Sequence, residues 1–120
     1  MKFLCQVWFE SAEIAKISEE EGRKLTQDSI DNDNRLRHSG HLIVANALRE
    51  PETARTVRVR KDGTTVTDGP FAEIKEHLGG FVLIEAQDME EATRIAATFP
   101  VAHYGMIEVR AAFDIRFPDE

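Results

Sequence analysis

Gly80-Phe81-Val82-Leu83-Ile84-Glu85-Ala86 is a nearly continuous apolar run opened by glycine. Large apolar side chains at successive positions leave a strand no polar face to turn to water. Such a strand is buried on both sides and belongs in the middle of a sheet. The rest of the chain has to supply its neighbours and its cover.

Towards the N-terminus, Lys2 to Phe9 alternates, with Phe3, Cys5, Val7 and Phe9 on one side and Leu4 and Trp8 on the other. This is a second strand with two apolar faces. Ser18-Glu19-Glu20-Glu21 is a capping box, and it predicts a helix running to about Ser39. Gly40 suits the left-handed residue that ends it. His41 to Leu48 reads as a strand, and Glu50-Pro51 breaks it. Thr53 to Arg60 and Thr64 to Thr67 read as a hairpin turned at Lys61-Asp62-Gly63.

Towards the C-terminus, Asp88 caps a helix whose Met89, Ala92, Ile95, Ala96 and Phe99 share one face, with Pro100 as its stop. Ile107, Val109, Ala111, Phe113, Ile115 and Phe117 then alternate with Glu108, Arg110, Ala112, Asp114 and Arg116, which predicts a half-buried last strand. The order is strand, helix, strand, hairpin, strand, helix, strand. Two split strand-helix-strand units predict a single α+β domain over residues 1–120, a ferredoxin-like sandwich with an extra hairpin and both helices on one sheet face. Apolar side chains on the other face call for cover, and a two-fold homodimer is the economical source of it.

A net charge of -7 disfavours a nucleic-acid partner, which needs a basic surface. Arg55, Arg58, Arg60 and Lys61 cluster on the hairpin and read as solvated edge positions. The single cysteine, Cys5, lies in an apolar alternating segment and is expected to be a small core residue. No internal disulfide is available and no apolar run reaches membrane-spanning length. A soluble cytoplasmic protein is the expectation.

Candidate chemistry centres on Asp68-Gly69-Pro70-Phe71-Ala72-Glu73, which closes on Leu78-Gly79-Gly80-Phe81. Asp68 suits a general acid or base, or the orienter of one, provided it meets a partly desolvated pocket and a proton-carrying partner. Its competing reading is structural: Gly69-Pro70 resembles a helix start whose free amides Asp68 would accept. His77 and His41 are the candidate partners, with His38 and His103 further off. On the first helix Gly22, Leu25, Ser29, Asn32 and Leu36 share one face, so Ser29 and Asn32 either bond each other, meet water or line a cavity. Lys75 suits a small anionic organic ligand. His38 and His41 straddle a helix end, so no metal site is expected. With no phosphate loop, dinucleotide fingerprint or nucleophile elbow, no cofactor is expected either.

Val66-Thr67-Asp68-Gly69-Pro70-Phe71-Ala72-Glu73, with Lys75-Glu76 and Leu78-Gly79-Gly80-Phe81, resembles the DGPF-domain proteins of the YCII-related family. Thr56-Val57-Arg58-Val59 and Ile107-Glu108-Val109-Arg110 extend the likeness along nearly the whole chain. The resemblance implies a ferredoxin-like fold that dimerises as a dimeric α/β barrel. Relatives in the wider family are small-molecule lyases using a His–Asp pair, which implies acid–base lyase or isomerase chemistry with Asp68 in the aspartate's place. The chain departs from the family's pattern at Ile74, at Ala45-Asn46-Ala47-Leu48 and at Ala111. A non-catalytic binding or interaction dimer is the alternative function, and a purely structural dimer is a third.

Overall fold

The computed structural model describes residues 1–71, 75–113 and 115. Its strands and helices are β1 (Lys2–Glu10), α1 (Ser11–Ile14), α2 (Glu19–His38), β2 (Leu42–Ala47), β3 (Arg55–Arg60), β4 (Gly63–Asp68), β5 (Glu76–Glu85), α3 (Met89–Ala96) and β6 (Gly105–Ala111). Four strands form an antiparallel sheet in the order β2-β5-β1-β6, while β3 and β4 form a separate two-stranded sheet. The fold is α+β with antiparallel sheets, and its strand order is compatible with the ferredoxin-like arrangement. As the apolar run demanded, β5 is central and lies between β1 and β2.

Local chemistry sets the helix ends. Ser18 Oγ accepts the Glu21 amide at 3.1 Å, and Asp88 Oδ1 accepts the Glu91 amide at 2.9 Å. Each bond satisfies an amide that the first helical turn leaves free. Beyond α2, Gly40 adopts φ +84°, the His41 amide donates to Leu36 O and the Gly40 amide to Arg37 O. That pair of bonds is a Schellman closure, and only a residue without Cβ enters it freely.

The core lies between the sheet and the two longer helices. Phe3 and Cys5 of β1, Val82 and Ile84 of β5, Leu36 of α2, Ala92, Ile95 and Ala96 of α3, and Phe99 are buried together. Leu4, Trp8 and Leu83 face the opposite side and are only half-buried. The Trp8 indole N–H is buried on that side with no acceptor among the described residues.

Two expectations change. The last strand ends at Ala111, and Phe113 and Ile115 are exposed coil. The cause is pairing: Ala111 sits opposite Phe3, the Ala112 amide reaches Lys2 O, and β1 has no residues left to pair with. Asp114, Arg116 and Phe117 lie outside the described residues. Conversely β5 starts at Glu76, so His77 and Leu78 are strand residues rather than part of a connection. They pair with Phe9 and Trp8 across a bulge at which Val7 opposes Gly80 and Gly79 is left over.

Candidate functional site

The β1/β5 bulge shapes one end of the sheet. A Cβ on Gly79 would run into the Phe9 ring, and one on Gly80 would sit 2.9 Å from the Asn46 carbonyl oxygen. The missing side chains let Phe9 lie across β5 and let β2 close in beside it. Above this floor passes α2. Between them lies a cavity of about 190 Å³, lined by Val7, Phe9, Val82, Phe99 and Val101 among apolar residues, and by Ser29, Asn32, Asp33 and Asn46 among polar ones.

Asn32 is 3% exposed and is the buried polar side chain among the described residues. Its Nδ2 donates to Thr98 Oγ1 at 3.4 Å, and its Oδ1 accepts from Arg35 Nη2. Thr98 donates in turn to Ile95 O at 2.6 Å. The chain of bonds ties α2 to the end of α3 and satisfies a side chain that burial would otherwise penalise. Ser29, one turn earlier, also lines the cavity. The helical face read from sequence therefore brings Ser29 and Asn32 to one hollow.

Asp68 does not reach this cavity's lining. It ends β4 with its side chain 91% exposed, and Oδ1 lies 3.5 Å from Arg55 Nε. Gly69, at φ +91°, donates its amide to Ala54 O at 2.7 Å, and its carbonyl accepts Thr56 Oγ1 at 2.9 Å. These bonds carry the β3/β4 pairing one residue past Asp68, with the carboxylate left on the surface. Whether Gly69-Pro70 starts a helical turn falls on Ala72, Glu73 and Ile74, which lie outside the described residues.

The two candidate histidines sit elsewhere. His77 Nδ1 is 2.9 Å from Ser11 Oγ, and its ring packs at 6.1 Å on Phe9, a wall of the cavity. His41 Nδ1 is 2.9 Å from Glu85 O at the far end of β5. Among the described residues neither is bonded to Asp68. Lys75 Nζ pairs with Glu10 at 3.2 Å and is exposed. Cys5 is wholly buried, and burial pushes its thiol up to about 11. A thiol held protonated in the core is no nucleophile.

Sequence reading missed Asp33 and Asn46. Asp33 stands four residues after Ser29, a spacing that puts both on one helical side, and this was the available signal. Burial raises its carboxyl above the ordinary carboxylate range, with Arg37 opposing the rise. Among the described residues no helix is long and apolar enough to cross a membrane.

A four-stranded antiparallel sheet layered with helices, a separate two-stranded hairpin and a polar-lipped cavity under the longest helix make an α+β protein with a candidate ligand site. The YCII-related domain matches residues 1–116, and the chain belongs to that family. It is similar to an uncharacterised protein, R00369, of Rhizobium meliloti (strain 1021), 35% identical over 95 residues, which are 78% of this chain and 77% of that protein.

Proposed function

We propose that the protein is a cytoplasmic homodimer of ferredoxin-like subunits, of the dimeric α/β-barrel type, that binds a small organic molecule in the cavity beneath α2. One observation carries this reading: a hollow of about 190 Å³ whose apolar floor meets hydrogen-bonding side chains from α2 and β2. An engineered cavity of roughly 150 Å³ accommodates benzene, so the scale suits a compact ligand. Ser29 offers it a hydroxyl from α2, and Asn32, tied to Thr98 and Arg35, fixes the wall beside it.

The dimer rests on uncovered surface. Leu4, Trp8 and Leu83 line the face away from the helices, and Trp8 offers that face an unpaired donor. On the hairpin Val57, Val59 and Val66 are 60%, 68% and 57% exposed, although they share one face through the Val57–Val66 pair. β3 and β4 pack on each other and scarcely on the rest of the fold. A lone two-stranded hairpin is marginal in water, so a second subunit is its natural support. The hairpin carries Arg55, Arg58, Arg60 and Lys61 against Asp62 and Asp68, which complements a chain of net charge -7.

Acid–base chemistry of lyase or isomerase type, with Asp68 and His77 or His41, is the second reading. What favours it is the contact of His77 with Phe9 at the cavity wall. It requires the partner subunit to deliver an aspartate that is exposed within its own chain.

A thermal-shift screen of small organic compounds tests the binding reading, since a ligand that prefers the folded state raises its stability. Compounds that raise the melting temperature of the natural chain should lose that effect on Ser29→Leu, which fills the cavity from its helical wall. Equal shifts in both proteins place the ligand elsewhere and sink the assignment.

A further inference from the structure

Charged side chains along α2 are mostly engaged. Asp28 pairs with Lys24 at 2.8 Å, Asp31 accepts from Gln27 at 3.0 Å, and Arg37 donates to Asn34 at 2.9 Å. Glu19, Glu20, Arg23 and Asp33 are not engaged within the described residues, and of these only Asp33 belongs to the cavity lining. Among the described residues it has neither a hydrogen bond nor an ion pair through its side chain, and it lines the cavity beside Ser29. The lining contains no Lys, Arg or His. Asn32 is already bonded on both ends of its amide, which leaves the Ser29 hydroxyl, the Asp33 carboxyl and the Asn46 amide for a ligand.

Such a lining discriminates by charge. An anion entering it would meet the Asp33 carboxylate in surroundings drier than water, where like charges repel strongly. The nearby cations lie outside the lining, Arg35 already donating to Asn32 and Arg37 already acting on Asp33 itself. A cationic head reverses each term: it neutralises a half-buried carboxylate and donates charge-assisted hydrogen bonds to it. The hydrocarbon part would then lie on Phe9, Val82 and Phe99, which are the apolar floor.

We propose that the cavity selects a small protonated amine, with Asp33 receiving the ammonium group, Ser29 and Asn46 completing its hydrogen bonds, and the aromatic floor taking an apolar body. The sequence reading, by contrast, favoured an anionic ligand at Lys75, which the structure pairs with Glu10 outside this lining. The inference rests on the cavity being the ligand site.

Titration calorimetry at neutral pH with benzylamine, benzyl alcohol and benzoate as probes tests it on the full chain. Benzylamine should bind at least about tenfold tighter than benzoate, the scale of one charge-assisted bond. Asp33→Asn should weaken benzylamine about tenfold and leave benzyl alcohol within about twofold. Ser29→Leu should remove all binding. If benzoate matches or exceeds benzylamine, or if Asp33→Asn binds benzylamine unchanged, the amine assignment is overturned while the cavity reading stands. If none of the three probes binds, both are overturned. Circular dichroism and thermal melts of each variant confirm that a loss reflects the site and not unfolding.

Discussion

The ring of Phe9 occupies the space that a side chain on Gly79 would need. The two residues lie beside the bulge where β1 and β5 change register, and Phe9 forms a wall of the cavity. Gly79 has no left-handed φ, so its requirement is steric and not conformational. Gly79→Ala must displace Phe9. The expected loss is about 1–3 kcal/mol, typical of an added methyl in a filled site. Urea unfolding at constant slope measures it, and weaker ligand binding should accompany it because the displaced ring is part of the wall. A fully stable variant would show that Phe9 has somewhere else to go.

How far the sequence carried is instructive at particular residues. Phe81 to Ile84 placed β5 centrally, because an apolar run with no polar face tolerates no other position. Ser18, Gly40 and Asp88 gave the helix ends, since capping is local chemistry. The extension of β6 past Ala111 fails at Phe113 and Ile115 because alternation says which side chains share a face but not whether a neighbouring strand continues. The apolar run starts β5 at Gly80 and leaves His77 in the preceding segment, whereas a bulge at Gly79 lets the strand begin at Glu76. Ser29 and Asn32 were legible from helical spacing. Asp33 shares a helical side with Ser29 four residues earlier, but that spacing does not say how β2 and α2 meet to enclose it.

Asp33 also makes stability depend on pH. A carboxyl raised by burial holds its proton more tightly in the folded chain than in the unfolded one. The folded state therefore binds more protons over the window between the ordinary and the raised value, so stability falls as pH rises through it. At neutral pH the ionised group is a net destabiliser. Asp33→Asn should melt higher than the natural chain at pH 7, and the gain should vanish below the ordinary carboxylate range. A variant that melts lower at pH 7 would mean the carboxylate is held by contacts in the folded protein.

Cys5 provides a measure of core opening. Its thiol is buried and pushed up to about 11, so little thiolate is present at pH 8 and none of it is reachable. Labelling by iodoacetamide should be at least about a hundredfold slower in the native protein than in urea, because it waits for opening. Rapid native labelling would show that β1 separates readily from the helices.

Asp68 and Arg55 form an exposed pair at 3.5 Å on the hairpin. Exposed pairs contribute little, so Asp68→Ala should change stability by no more than about 0.5 kcal/mol if the subunits leave it exposed. Val57→Asp on the same hairpin is a different test, since it puts a charge on the apolar face that a partner would cover. Sedimentation velocity should show Val57→Asp shifted towards monomer at micromolar concentration, with the far-ultraviolet spectrum of the main sheet and helices retained. Two results then separate the roles of this region. If Val57→Asp dissociates the dimer and Asp68→Ala costs well above 0.5 kcal/mol, the hairpin face and its carboxylate are both buried by the partner, and Asp68 works between subunits. If Val57→Asp stays fully dimeric, the hairpin lies outside the interface, and the uncovered sheet face around Trp8 must supply it alone.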